Sequence, residues 1–301
     1  MRTVFGTNAT AYTRAKRYSL VCFVVKGRRA HVQGGVGMRL ILVAFLVSLV
    51  FSSIGFKKYV WFISIGYGLA VAAIGALLLI LFRGQLTGGT CAGALLLVLY
   101  GVRLGGYLAV REWKSSSYNR KMKEEIKDGK GMSVGAKCAI WISAALLYFC
   151  ETSPLVFRMQ AGAADDVFLT VGLIVMALGL ILESTADLQK NAAKKNNPGR
   201  FVDTGLFRLV RCPNYFGEMT FWTGVFLTGI RTNHGALQWM VVLVGYLGII
   251  YVMFGGARRL EIRQDRTYGT DPEYQNYVKN TPIMIPFVPI YSVKRHKWLV
   301  A

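Results

Sequence analysis

Residues 59–82 form the sequence YVWFISIGYGLAVAAIGALLLILF, which has no charged side chain in 24 positions. A helix needs about 20 predominantly apolar residues to cross the hydrocarbon core of a bilayer, which is roughly 30 Å thick. A stretch of this length and composition is therefore typical of a membrane-spanning helix. It predicts that the chain is an integral membrane protein.

Six further apolar runs have the same character, and two of them, 167–182 and 215–230, are short. The other four are 38–56, 88–110, 134–150 and 237–255. We find no internal repeat, and the alternating pattern of a membrane β-barrel is absent from the sequence. The runs predict an all-α membrane protein with about seven transmembrane helices in one bundle.

The overall composition agrees with this prediction. Of the 301 residues, 53% are hydrophobic and only 17% are charged, whereas soluble domains have roughly 25% charged residues. The apolar fraction also excludes a disordered chain. Five cysteines without a C-x-x-C pair and three scattered histidines give no reason to expect a disulfide framework or a metal site.

The basic residues are distributed unevenly between the loops. Beyond residue 39, one set of loops and the C-terminal tail hold 24 Lys and Arg, and the opposite loops hold 3. The positive-inside rule therefore predicts a cytosolic C-terminus and a non-cytosolic N-terminus. We interpret the net charge of +21 as loop charge facing a lipid bilayer, with some residues binding an anionic ligand, rather than as a nucleic-acid surface.

The charge of the first 39 residues does not fit that topology, since they contain eight Lys and Arg and no acid but belong to the predicted non-cytosolic side. We treat residues 1–37 as a basic N-terminal extension and residues 38–301 as the membrane domain. The extension is interpreted as a targeting segment, a basic tail or a misassigned start. It leaves the organelle open between the endoplasmic reticulum and another intracellular membrane, if the source is eukaryotic.

Ionisable residues at membrane depth indicate where a functional site lies. Arg103, Tyr107 and Arg111 are spaced four residues apart and form one stripe on the third predicted helix; the alternative is that the arginines snorkel to the headgroups. Glu183 and Asp187 end the fifth helix and precede several lysines. This arrangement suits the binding of a ribose hydroxyl and a neighbouring phosphate. The alternative is that it is only a solvated helix terminus, where lysines near the C-terminal end are favourable.

The strongest signal is the stretch 203–218, DTGLFRLVRCPNYFGE. Pro213 predicts a helix start, which places Asn214 and Glu218 one turn apart on the helix that follows. The free amides of that start attract phosphate, and a buried Glu218 needs a hydrogen-bonding partner. Arg258 and Arg259 close the seventh helix, either as further phosphate ligands or as membrane anchors.

These residues resemble the C-terminal domain of the steroid 5α-reductase superfamily, in particular its DUF1295 branch, over about residues 100–289. The shared pattern consists of Arg-Leu…Tyr…Arg (103–111), Glu…Ala-Asp-Leu-Gln-Lys (183–190), Gly-Arg-Phe-Val-Asp-Thr-Gly-Leu-Phe-Arg (199–208), Pro-Asn-Tyr-Phe-Gly-Glu (213–218) and Pro-Glu-Tyr…Tyr…Thr-Pro…Ile-Pro-Phe (272–287). The resemblance implies an oxidoreductase that uses NADPH on the cytosolic side to reduce an activated C=C bond of a hydrophobic lipid, steroid-like or enoyl.

The resemblance also implies residue roles. Tyr107 matches the tyrosine that polarises the substrate carbonyl, so we predict it as the catalytic residue. The predicted cofactor-binding residues are Glu183, Asp187, Lys194, Arg200, Arg211, Asn214, Tyr215, Glu218, Arg258 and Arg259.

Two departures from the superfamily pattern affect this prediction. The Gln-Glu pair beside the steroid oxygen has no counterpart between residues 38 and 82, which puts a 3-oxo steroid in doubt. Cys212 replaces the His of an Arg-His-Pro-Asn-Tyr motif.

The alternative is a membrane methyltransferase of the isoprenylcysteine carboxyl or phospholipid type, which would bind S-adenosylmethionine. A non-catalytic lipid-binding or scaffold protein would leave Glu218 unexplained.

Overall fold

The computed structural model describes residues 39–114 and 131–299. The chain divides into two compact units, 1–46 and 47–301. Of the first unit, residues 39–46 are described and are helical. The predicted N-terminal extension lies outside the described residues, and the candidate site lies entirely in the second unit.

The described residues are helical throughout their regular structure and include no strand. The α-helices are α1 (39–52), α2 (Ile65–Leu81), α3 (Gly88–Lys114), α4 (Val134–Gln160), α5 (Val167–Asn196), α6 (Pro213–Gly229), α7 (Gly235–Tyr268) and α8 (Pro272–Asn280). Short 3-10 helices lie at Ser53–Phe56, Tyr59–Ile63 and Gly205–Arg208. The predicted all-α membrane fold is confirmed.

Six stretches of the described chain are long and apolar enough to cross a membrane. They are Arg39–Phe56, Tyr59–Leu81, Gly88–Trp113, Val134–Ala161, Val167–Asn196 and Gly235–Tyr268. The other predicted span, 215–230, forms α6, which has 17 residues and is not among the six. The structure thus contains the seven predicted helices, one of them shorter than a typical span.

Several helices are longer than their apolar runs. The prediction ended the fourth helix at residue 150, whereas α4 continues to Gln160, and α5 continues past residue 182 to Asn196. The predicted bounds were wrong because the apolar run stops at the first polar turn, while backbone hydrogen bonding continues beyond it. The polar turns of α5 contain the candidate site.

Helices α5 and α6 form the most extensive helix pair of the bundle. Their backbones touch at glycines, since a Cβ added to Gly217 would lie 2.5 Å from the backbone nitrogen of Glu183, and one on Gly224 would lie 2.5 Å from that of Met176. Small residues allow such close approach between membrane helices. The contact at Gly217 brings Glu183 of α5 against the first turns of α6.

The C-terminal segment holds the start of α6. The backbone amides of Arg211 and Cys212 donate to the carbonyls of Pro282 and Ile283, both at 2.9 Å. Further along, Glu261 of α7 accepts hydrogen bonds from the backbone amides of residues 293 and 294, at 2.9 and 3.1 Å. The segment after α8 therefore returns to fix both helices that flank the site.

Candidate functional site

Arg103 of α3 forms ion pairs with both Glu183 and Asp187 of α5. The two carboxylates are largely buried, with side chains 4% and 11% exposed, and Arg103 is 20% exposed. Arg103 therefore points to the α5 carboxylates rather than snorkelling to the headgroups, and the predicted carboxylate pair lies inside the bundle.

Three acceptor oxygens of this region have no hydrogen-bond donor among residues 39–114 and 131–299. They are Oε2 of Glu183, Oδ1 of Asn214 and Oε1 of Glu218. The contact between Gly217 and Glu183 places all three at the α5–α6 interface. Buried acceptors are normally paired, and each unpaired one costs about 1–3 kcal/mol. A ligand with several O–H or N–H donors would satisfy all three.

Basic side chains from three helices face the start of α6. Lys190 of α5 interacts electrostatically with Asp187, Arg111 and Arg263, and Tyr215 of α6 interacts with Arg259 and Arg263. We call Arg111, Lys190, Arg259 and Arg263 the cation cluster. No side chain in the described residues caps the N-terminus of α6, and such a helix start beside cations is suited to a phosphate.

The predicted cofactor residues include only Arg259 of the cation cluster. The other three were not predicted to bind the cofactor, although Arg111 was placed in the α3 stripe; Arg111 and Arg263 each follow a predicted residue by four positions and therefore share its helix face. Lys190 follows Asp187 by three positions in the same way.

Four other predicted cations have partners within the protein. Lys194 donates to the hydroxyl of Tyr268 at 2.9 Å, and Arg200 pairs with Asp203 at 2.9 Å and with Glu273. Both therefore stabilise the turn after α5.

Arg211 and Arg258 bind the C-terminal segment. Arg211 is buried against Glu261, at 3.2 Å, and donates to the carbonyl of Tyr291. Arg258 donates through Nε to the carbonyl of Lys294 at 3.2 Å. These arginines hold the returning segment in place beside the site.

Tyr107 lies in the α3 stripe between the cation cluster and the carboxylates. Its hydroxyl donates to Oδ1 of Asn191 at 3.1 Å, and its ring is 5.7 Å from the guanidinium carbon of each flanking arginine, Arg103 and Arg111.

Cys212 is buried just before α6, and burial raises the pKa of its thiol to about 12. It therefore remains a neutral thiol.

A buried acid that the sequence analysis did not identify lies deeper in the bundle. Glu151 of α4 is 3% exposed, and it interacts with Tyr67 of α2 and Glu218 of α6. Trp222 of α6 donates to the Tyr67 hydroxyl at 2.7 Å. The signal was an acid within an apolar stretch, but the predicted fourth helix ended one residue before it.

Comparisons with known proteins agree with this arrangement. The profile of the family described as "Protein of unknown function (DUF1295)" matches residues 44–281. The chain belongs to the DUF1295 family. The match includes α2 to α8 and every residue of the cation cluster.

Two curated plant proteins named "Steroid 5-alpha-reductase DET2" are more distant relatives of this DUF1295 protein. The one from Gossypium hirsutum is 28% identical over 120 residues and the one from Arabidopsis thaliana is 28% identical over 121 residues; each alignment covers 39% of this chain and 41% of the relative. The chain thus spans about two fifths of the length of these reductases.

A "Probable O-methyltransferase ustE" from Ustilaginoidea virens is 34% identical over 73 residues, which is 23% of this chain and 26% of that protein. No solved structure matches the chain. The comparisons therefore establish the family, and relate it distantly to membrane reductases.

Proposed function

We propose that this protein is an integral-membrane oxidoreductase that uses NADPH to reduce an activated C=C bond of a lipid. The strongest support is that two features occur together at the start of α6. One is the set of three acceptor oxygens, in Glu183, Asn214 and Glu218, that have no donor in the described residues, and the other is the cation cluster. The first group suits a ligand with hydrogen-bond donors, and the positive potential of the second favours a ligand with negative charge. NADPH has both hydrogen-bond donors and negatively charged phosphates.

The cation cluster would bind the phosphates. Charge-assisted hydrogen bonds from arginine and lysine to phosphate oxygens are about twice as strong as neutral ones. Lys190 and Arg259 approach from α5 and α7, so the cofactor would enter between these helices beside the uncapped start of α6.

The acceptor oxygens would bind the ribose hydroxyls and the carboxamide. Glu183 uses Oε1 on Arg103 and keeps Oε2 for an incoming donor. Asn214 and Glu218 are one turn apart on α6, so they can bind two donors of one ligand side by side. Arg103 orients Glu183 and Asp187 and neutralises part of their charge.

When bound, NADPH supplies hydride for addition to the double bond. The protein would contribute the orientation of the cofactor and a donor to the substrate carbonyl. We propose Tyr107 for this last role on the strength of the superfamily resemblance. In this role the Tyr107 hydroxyl would donate its hydrogen bond to the substrate oxygen instead of to Oδ1 of Asn191.

The partial match to a probable O-methyltransferase supports a second candidate, binding of S-adenosylmethionine. That cofactor has a sulfonium cation and no phosphate. The cation cluster would repel the sulfonium, whereas it would attract phosphates. The charge of the site therefore favours NADPH.

Binding measurements on the purified full chain in lipid nanodiscs test the proposal. NADPH is expected to bind, and the double variant Arg259→Ala/Arg263→Ala should bind it at least tenfold more weakly. The matched control Arg295→Ala/Lys297→Ala removes equal charge from the exposed C-terminal tail and should leave the affinity unchanged. Binding of S-adenosylmethionine with no binding of NADPH would refute the reductase assignment.

A further inference from the structure

Residues 291–299, which we call the C-terminal tail, run along α7 in the direction opposite to the helix. Near the start of the tail, the backbone amide of Lys294 donates to Glu261 at 3.1 Å. Near its end, the carbonyl of Trp298 accepts from the Tyr251 hydroxyl at 2.8 Å. The contacts thus descend α7 by ten residues, or about 15 Å. The end of the tail therefore reaches the apolar run of α7.

One face of α7 shows where the hydrocarbon of the bilayer ends. Val244, Leu247 and Tyr251 are spaced three and four residues apart, so they share this face, and they are 52%, 59% and 38% exposed. Arg258 follows Tyr251 by seven residues and continues the same face. The side chains change from aliphatic to aromatic to cationic, which is the order expected where a helix passes from hydrocarbon into headgroups. Tyr251 therefore marks the membrane interface.

Trp298 lies at the level of Tyr251 and keeps most of its surface uncovered. The two rings are stacked, with centroids 6.2 Å apart, yet Trp298 is 65% exposed. The next residue, Leu299, is only 3% exposed, so the end of the tail is packed against the protein. Tryptophan is favourable at a membrane interface, because its apolar ring and its polar N–H are both accommodated there.

The tail is also basic. No acid follows Glu273 in the sequence, whereas Lys294, Arg295 and Lys297 lie within four consecutive positions. Lys294 pairs with Asp265 at 2.7 Å. Arg295 and Lys297 are exposed, and neither side chain has an acidic partner among residues 39–114 and 131–299. The tail thus presents two uncompensated cations beside an exposed tryptophan at the interface.

We propose that the C-terminal tail is a binding site for the headgroup of an anionic phospholipid. Trp298 lies among the headgroups, and Arg295 and Lys297 bind the headgroup oxygens. Two cations without an acid favour a lipid with net negative charge over a zwitterionic one. With the predicted topology, the leaflet is the cytosolic one, whose surface is negatively charged. This inference does not depend on the proposed function.

Binding of such a lipid stabilises the fold through the other contacts of the tail. Arg211, just before α6, donates to the carbonyl of Tyr291, and Arg258 of α7 donates to the carbonyl of Lys294. A lipid that holds the tail therefore also holds the start of α6 and the end of α7. A ligand that binds only the folded protein raises its melting temperature.

Thermal melting of the full chain in two kinds of nanodisc tests the proposal. One contains phosphatidylcholine alone, and the other contains an equal mixture with phosphatidylserine. The wild-type protein should melt at a higher temperature in the mixture, whereas Arg295→Ala/Lys297→Ala should lose this gain and Trp298→Ala should reduce it. The matched control Lys195→Ala/Lys279→Ala removes two exposed cations from α5 and α8 and should keep the gain.

Two further measurements examine the lipid itself. In native mass spectra, the preference for retained phosphatidylserine over phosphatidylcholine should fall at least fivefold in Arg295→Ala/Lys297→Ala, since each cation near a membrane surface contributes roughly fivefold. The fluorescence that the wild type has and Trp298→Phe lacks should be quenched more by lipids brominated near the headgroup than by lipids brominated near the chain end.

The source of the anion and the fold of the variants are controlled in the same experiment. In pure phosphatidylcholine, Arg295→Ala/Lys297→Ala should melt like the wild type, which shows that it folds. Inorganic phosphate added to those discs at equal ionic strength should not raise the melting temperature of the wild type. The inference is overturned by equal melting of the wild type in both discs, by a gain that survives in the double variant, or by a gain that free phosphate reproduces.

Discussion

Replacing Arg103 by methionine tests the electrostatics of the site most directly. Arg103 is the partner of Glu183 and of Asp187, whose side chains are 4% and 11% exposed. Removing one partner of a buried ion pair destabilises a protein by about 3–5 kcal/mol, because the remaining charge is left buried and unpaired. Since Arg103 itself is 20% exposed, we expect the lower end of that range, about 3 kcal/mol.

The loss should be recovered when the carboxylates are neutralised as well. The triple variant Arg103→Met/Glu183→Gln/Asp187→Asn contains no uncompensated charge at this place, and neutral replacements of buried ion pairs are often tolerated. We expect it to regain most of the stability that Arg103→Met loses. It should nevertheless bind NADPH more weakly, because Glu183 no longer offers a carboxylate oxygen.

Unfolding of both variants can be followed by thermal or denaturant melting in the same detergent. The matched control is Lys58→Met, which breaks the ion pair of Lys58 with Glu112. That lysine is 28% exposed, and Glu112 keeps the hydrogen bond from Trp61 at 2.6 Å, so its loss should be about 1 kcal/mol. If Arg103→Met is no more destabilising than Lys58→Met, or if the triple variant is less stable than Arg103→Met, the explanation is wrong.

Three further predictions concern cofactor, chemistry and topology. Glu218→Gln and Asn214→Ala should each lose NADPH binding in nanodiscs while remaining folded, because they remove acceptors of one ligand; wild-type affinity in both would contradict the assignment. Tyr107→Phe should lower turnover of a working enone by on the order of 10²–10³-fold with little change in NADPH affinity, and full turnover would exclude Tyr107 from the reaction. A tag after Ala301 should be cleaved by protease added to sealed, cytosol-side-out vesicles, since the 24-to-3 charge asymmetry predicts a cytosolic C-terminus; protection would reverse the topology.

The helices of this fold could be predicted from the sequence because burial in a bilayer requires continuous apolar stretches. The close packing of α5 on α6 could not, since it depends on which faces of two helices meet at Gly217 and Gly224. Helix length was also underestimated, because α4 and α5 extend through polar turns. Hydropathy detects contact with lipid, whereas backbone hydrogen bonds decide where a helix ends.

The candidate site was predicted in part. The local pattern from Pro213 to Glu218 located the start of α6, since helix-start signals depend on neighbouring residues alone. The partners of Arg103 and Arg211 are 80 and 50 residues away in the sequence, so no local spacing identifies them. Glu151 was missed for another reason, because the predicted fourth helix ended at residue 150, one residue before it.

Along both α3 and α6, the side chains that face the site change in the same order, from charged to aromatic. On α3, Arg111, Tyr107, Arg103 and Tyr100 share one face, and the rise of about 1.5 Å per residue spreads them over roughly 16 Å. The cation cluster lies at one end of this face, and at the other Tyr100 stacks on Phe221 of α6, with ring centroids 4.2 Å apart.

Helix α6 follows the same order from its start inward. Its first turn faces the cation cluster, Glu218 follows beside Glu183, and Trp222 contacts Tyr67 in the aromatic region. Both helices therefore offer charge at one end and an aromatic region at the other. A cofactor with phosphates at one end and an uncharged reactive ring at the other would be aligned by this gradient, with its ring in the aromatic region.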